Sequence, residues 1–156
     1  MSLSQEIRQN KPFDGLEQAA HLSILRSAAM LEHAFGRALE PFGVTPTQYN
    51  VLRILRGAGE AGLCRREVQE RMITPVPDAT RLLDRMEAAG WIERERRGAD
   101  RRYVTTRLTA EGRALADRLD GPIGDLHRSH VGGLGAAELE SLIAALERVR
   151  SSVGRA

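Results

Sequence analysis

Residues 74–108 read as a polar-faced helix followed by two short strands whose connecting turn is crowded with arginine. Six arginines, Arg94, Arg96, Arg97, Arg101, Arg102 and Arg107, stand there against Glu93, Glu95 and Asp100. No other feature restricts the fold as much as this order of helix, hairpin and basic tip. One helix of such a unit fits a major groove of duplex DNA, while the hairpin tip reaches the neighbouring backbone or minor groove. The pattern is that of a winged helix-turn-helix lobe.

The preceding residues supply the rest of such a lobe. Over residues 16–39 Leu16, Ala19, Leu22, Leu25, Ala28, Ala29, Phe35 and Leu39 recur at helical spacing, and Pro41 and Gly43 end the run. Thr45-Pro46-Thr47-Gln48 predicts a sharp helix start, with threonine at the N-cap, proline in the first position and glutamine in the third. Tyr49, Leu52 and Leu55 or Ile54 continue an apolar face until Gly57, Gly59 and Gly62 break it. A short third helix fits residues 65–72, with Cys64, Val68 and Met72 in register. Residues 74–78, Thr-Pro-Val-Pro-Asp, are read as the opening of the next helix, where first-turn amides lack acceptors and proline is tolerated. Ala79, Leu82, Leu83, Met86 and Ala89 form its apolar side, Gly90 its C-terminal cap, and Asp78, Arg81 and Arg85 share the opposite face. Residues 92–96 and 102–108 read as strands.

Thr109 caps a further helix to about residue 130, and a last one covers residues 136–151 with Leu139, Leu142, Ile143, Leu146 and Val149 apolar. The expected fold is mostly α with a small β-hairpin wing, a single domain spanning residues 1–156. In it a winged helix-turn-helix lobe (45–107) is flanked by N- and C-terminal dimerisation helices (16–40 and 109–152), behind a polar arm (1–14). The terminal helices carry apolar stripes outside a lobe that already has its own core. A second copy of the chain is the economical way to bury them.

With 156 residues the chain has room for one domain with a real core, and its net charge of +2 excludes a polycation. Nucleic-acid affinity must then come from local placement. Of the 23 basic residues only Lys11 is lysine, and arginine's planar fork suits bidentate contact with phosphate and guanine. Cys64 is the sole cysteine, which excludes an intramolecular disulfide. No apolar run approaches the length of a membrane span and the N-terminus lacks a signal pattern, so a soluble cytoplasmic protein is expected, with no membrane partner. No phosphate-binding loop, nucleophile elbow or HExxH pattern is present, so no enzyme activity and no cofactor are expected. His127 and His130 lie one helical turn apart without an evident third ligand, and are read as packing residues rather than a metal site. Glu67, Glu70, Asp84 and Glu87 read as solvated carboxylates on exposed helix faces.

Several motifs together resemble the MarR family (multiple antibiotic resistance regulators), dimeric winged-helix transcription factors. They are Thr45-Pro46-Thr47-Gln48-Tyr49-Asn50-Val51-Leu52, then Thr80-Arg81-Leu82-Leu83-Asp84-Arg85-Met86-Glu87, then Gly90-Trp91-Ile92-Glu93-Arg94, and finally Asp100-Arg101-Arg102 with Leu108-Thr109-Ala110-Glu111-Gly112. The resemblance implies a triangular homodimer reading a near-palindromic operator in double-stranded DNA. It also implies a recognition helix over residues 74–89, with Asp78, Thr80, Arg81 and Arg85 as contact candidates. Arg102 matches the wing-tip arginine that enters a minor groove, and Asp100 the aspartate that orients it. Arg97, Arg101, Arg65 and Arg66 complete the set of expected DNA contacts. Pro75 and Pro77 depart from the small polar or charged residues often found there in the family, and Cys64 stands where serine or threonine is common.

The expected function is that of a sequence-specific repressor that a small-molecule effector releases from DNA. His21, Leu25, Tyr49 and Arg53 are the ligand-pocket candidates between the terminal helices and the lobe. Two alternatives belong to other classes: a winged-helix protein-interaction module, and an oxidant-sensing regulator acting through Cys64. A thiol at a helix N-terminus beside Arg65 and Arg66 has the setting of a reactive cysteine, but also that of a small residue in a capping slot.

Overall fold

The computed structural model describes residues 2–96 and 104–154. Among them the order is α1 (Leu3–Glu6), α2 (Leu16–Leu39), α3 (Pro46–Ala58), β1 (Leu63–Cys64), α4 (Arg65–Glu70), α5 (Ala79–Ala88), β2 (Ile92–Arg96), β3 (Val104–Leu108), α6 (Ala110–Val131) and α7 (Ala136–Val153). The fold is mostly α with a small antiparallel sheet, as expected. The chain divides into two units, Met1–Ala116 and Asp117–Ala156, and α6 runs from the first into the second.

Helix starts follow local chemistry. At α3 the Thr45 hydroxyl accepts the Gln48 N–H at 3.2 Å, and the Gln48 side chain accepts the Thr45 N–H at 2.9 Å. Pro46 occupies the first turn, where its missing N–H costs nothing. At α6 the Thr109 hydroxyl accepts the Gly112 N–H at 3.0 Å and donates to the Gly90 carbonyl at 2.6 Å. This hydroxyl therefore caps one helix and ties it to the end of another. Gly90, at φ 76°, closes α5: its N–H reaches the Glu87 carbonyl and the Trp91 N–H reaches that of Met86. Gly112 serves a close approach. A Cβ there would lie 1.9 Å from the Trp91 carbonyl oxygen, so α6 packs on that backbone only without a side chain.

Five expectations need correction. The arm holds a single helical turn, α1, steadied by the Gln5 side chain accepting the Ser2 N–H at 2.9 Å. The short third helix ends at Glu70 rather than residue 72. Helix α5 begins at Ala79, not at residue 74: each proline pushes the residue before it out of the helical region, here Thr74 and Val76. Ala89, expected on the apolar side of α5, is exposed beyond its end. The sheet has three strands rather than two, in the order β1-β3-β2. Leu63 pairs with Thr106 and Cys64 with Thr105, while β2 runs from Ile92 opposite Leu108 to Arg96 opposite Val104.

The core of the first unit includes Leu39, Val51, Leu52, Leu55, Val68, Leu83, Met86 and Ile92, all nearly or fully buried. Helix α2 contributes only Leu39 to the buried set, and its Leu16, Leu25, Met30 and Leu31 are exposed. In the second unit Leu119 and Ile123 of α6 are buried, whereas α7 has no buried residue and exposes Leu142, Ile143, Val149 and Val153. Among the described residues no helix is long and apolar enough to cross a membrane.

Candidate nucleic-acid interface

Helix α5 separates its two sides cleanly. Ala79, Leu82, Leu83 and Met86 are buried, and Thr80, Arg81, Asp84 and Arg85 are exposed. Asp78 is exposed just ahead of α5. Its carboxylate is the N-cap of the helix and accepts the Arg81 N–H at 2.9 Å. Arg85 turns back along the helix, its Nε donating to the Arg81 carbonyl at 3.3 Å. On α4, Arg65 and Arg66 are both exposed, and Arg66 Nε is held by Glu70 at 2.7 Å one turn away.

The hairpin arginines divide into two groups. Alternation along β2 puts Glu93 and Glu95 on one face and Arg94 on the other. Arg107 lies opposite Glu93 in the register, and its Nη2 reaches Glu95 at 2.7 Å and Glu93 at 3.4 Å. On the other face Arg94 spans to α5. Its Nη2 donates to Asp84 at 2.7 Å, its Nε donates to Glu87 at 2.9 Å, and Nη2 also contacts the same Glu87 oxygen. The hydrogen bonds from Arg94 hold the Glu87 carboxyl below its ordinary pKa range against the opposing effect of the Asp84 charge, and the bond to Glu87 is the main cause that raises Arg94. Arg94 and Arg107 are thus committed to internal carboxylates. Arg97, Asp100, Arg101 and Arg102, the expected wing-tip set, lie outside the described residues.

Of the four carboxylates read as solvated, Glu67, Glu70 and Asp84 are exposed and Glu87 is half-buried, and each also has a partner. Besides Asp84 and Glu87 on Arg94, Glu70 holds Arg66, and Glu67 accepts the Cys64 N–H at 2.8 Å. That backbone bond to Cys64 is the first cause lowering the Glu67 pKa. The sequence carried a signal for the Arg94 cluster: Asp84 and Glu87, one helical turn apart, form a doubly acidic face that calls for a cation. Nothing local to either segment indicated which cation. The structure also adds Asn50, whose side-chain carbonyl accepts the Ile73 N–H at 2.9 Å and so ties the α4–α5 connection to α3.

The ligand-pocket candidates are dispersed in character. His21, Leu25 and Arg53 are exposed, whereas Tyr49 is only 5% exposed. Its ring meets that of Phe35 edge to face, with centroids 5.5 Å apart. Cys64 is a free, partly buried residue at the N-cap of α4 and also part of β1.

Helices α4 and α5, joined to α3 through Asn50 and followed by the β2–β3 hairpin, give the first unit a winged helix-turn-helix fold from α3 to β3. A profile for the MarR family matches residues 42–102. The chain is 34% identical over 114 residues to the multiple antibiotic resistance protein MarR of Salmonella typhimurium, covering 71% of this chain and 76% of that one. It therefore belongs to the MarR family of transcriptional regulators. Among solved structures, a mutant MarR from E. coli complexed with operator DNA superimposes with a TM-score of 0.73 at 27% identity, covering 96% of this chain and 99% of that one. AbsC, a MarR family transcriptional regulator from Streptomyces coelicolor, shares the fold with a TM-score of 0.81 at 23% identity over 94% of this chain and all of that one.

Proposed function

We propose that this chain is a homodimeric, sequence-specific DNA-binding repressor that a small molecule releases from its operator. The outward face of α5 carries this reading: Thr80, Arg81 and Arg85 stand exposed over a helix whose other side is core. Arginine on such a face can donate two hydrogen bonds to guanine, and each such pair is worth about 1–3 kcal/mol of discrimination. Asp78 acts by ordering the first turn that presents Arg81. Arg65 and Arg66 supply phosphate contacts, which set register rather than sequence. At the wing, Arg97, Arg101 and Arg102 complete the contact, with Asp100 orienting Arg102. The likeness to a MarR solved on operator DNA supports the same role.

Dimerisation is supported by the exposed apolar residues of α2 and α7, since burying such area is worth about 25 cal/mol per Å². Two lobes of one dimer then read half-sites about one helical turn apart. An effector weakens DNA binding only if it prefers the DNA-incompetent state. His21, Leu25 and Arg53 are open to such a molecule, whereas Tyr49 is nearly buried and takes part only if its surroundings open. In this reading the protein works in the cytoplasm and performs no catalysis.

The test is enrichment of duplexes from a random-sequence pool, followed by anisotropy titration and sedimentation. An inverted repeat bound by a dimer, with affinity falling steeply as salt rises and Arg81→Ala losing preference at one base pair, is the expected result. Absence of enrichment, or a folded monomer at micromolar concentration, would overturn the reading. Salt-insensitive association with another protein would favour the interaction module instead.

A further inference from the structure

Ile73 lies in the connection between α4 and α5 with 84% of its surface exposed. Its backbone is anchored, because the Ile73 N–H donates to Asn50 Oδ1 at 2.9 Å. Pro75 and Pro77, between Ile73 and the α5 cap, each lock φ near about −65° and stiffen the connection further. A large branched side chain is therefore held out in water on a fixed segment, where it contributes nothing to the core.

The position identifies what it meets. In helix-turn-helix docking the N-terminal residues of the second helix approach base edges, so the segment leading into α5 stands at the mouth of the groove. Exposed cations flank it, with Arg65 on α4 before it and Arg81 on α5 after it. Their charge favours a polyanion over an apolar protein surface. Asp78 caps the helix through one carboxylate oxygen, and Thr80 and Arg81 are polar and exposed. Isoleucine has no hydrogen-bonding group for a base or phosphate. The major groove offers one apolar partner, the C5-methyl group of thymine.

We propose that Ile73 is a specificity-determining residue that packs on the C5-methyl group of a thymine in each operator half-site, an inference that rests on the DNA-binding reading above.

The experiment uses the full chain and the duplex that it enriches from a random pool. Each thymine is replaced in turn by deoxyuridine, which removes only the methyl group. Dissociation constants are measured for wild type, Ile73→Ala and Arg81→Ala. At one thymine per half-site the wild type should weaken by about fourfold per substitution, the effect of losing one buried methyl group. Ile73→Ala, which loses the contact in both half-sites, should bind the thymine duplex about as weakly as wild type binds a duplex with uridine at that position in both half-sites, and be indifferent to uridine there. Arg81→Ala should keep its sensitivity to uridine there. A wild type insensitive at every thymine, or an Ile73→Ala with the wild-type uridine profile, overturns the proposal while leaving DNA binding intact. Unchanged DNA binding with a loss of self-association in Ile73→Ala assigns the residue to a protein contact and overturns it equally. If no duplex is enriched, the DNA-binding reading itself fails and this one with it. An equal melting temperature for Ile73→Ala shows that the exposed residue was not holding the fold.

Discussion

Replacing Arg94 with alanine tests the idea that this arginine locks the wing to the recognition helix rather than touching DNA. The substitution removes the bonds to Asp84 at 2.7 Å and to Glu87 at 2.9 Å, and leaves two carboxylates one turn apart without their cation. An exposed ion pair is worth about 0–1 kcal/mol, and a hydrogen bond to a charged group about 1.5–3 kcal/mol when sheltered. The Arg94 side chain is 25% exposed and that of Asp84 52%, so the cluster falls between these limits. A loss of about 1.5–2 kcal/mol is expected, which at about 2–4 °C per kcal/mol lowers Tm by about 3–8 °C. The pH dependence gives the sign. The folded-state pKa of Glu87 is depressed, chiefly by its hydrogen bond to Arg94. Its contribution is therefore complete above the unfolded carboxylate value of about 4.3 and disappears as pH falls through the lower folded value. Thermal melts from neutral pH downwards should show the Tm gap between wild type and variant open at neutral pH and narrowing once pH falls below the ordinary carboxylate range. Operator affinity should fall with no change in the log–log salt slope, because no phosphate contact is lost. A gap below about 1 °C at neutral pH, or one that does not narrow on acidification, refutes the clamp.

Three other outcomes are expected. Gly112→Ala should cost about 1–3 kcal/mol in a thermal or urea melt, because its Cβ would meet the Trp91 carbonyl at 1.9 Å. Gly121→Ala, with open space around it, should be neutral or slightly stabilising, and equal melts for the two variants would count against the close packing. Arg102→Ala should weaken operator binding and flatten the salt slope by about 0.9 per lost phosphate charge. Arg113→Ala, on α6 and paired with Glu60 at 3.4 Å, serves as its control, and wild-type titrations for Arg102→Ala would remove the wing from the interface. Peroxide should leave DNA affinity unchanged in both wild type and Cys64→Ser, as measured by anisotropy. Reversible release that the serine variant lacks would instead establish the oxidant-sensor reading.

What the chain determines by itself is whatever is settled within a few residues. The Thr45–Gln48 cap, the span of α2, the Thr109 cap and the Gly90 stop each depend on neighbours three or four positions away, and each is legible in the letters alone. The winged helix-turn-helix class was legible for the same reason, as an ordered series of local elements. Tertiary structure decided everything that needed a distant partner. Two-residue β1 has no periodicity of its own and exists because Leu63 meets Thr106 across the sheet. Arg94 and Arg107 count in the sequence only as part of a basic hairpin, and folding brought carboxylates from α5 and β2 within reach of them. Nothing local to Tyr49 fixes how deeply it is buried, yet folding leaves it only 5% exposed with its ring edge to face against Phe35 of α2. An arginine's role depends on which charge lies within about 4 Å of it, because Coulomb attraction and hydrogen bonding fade beyond that distance in water. Composition counts the charges, but only the fold sets those distances.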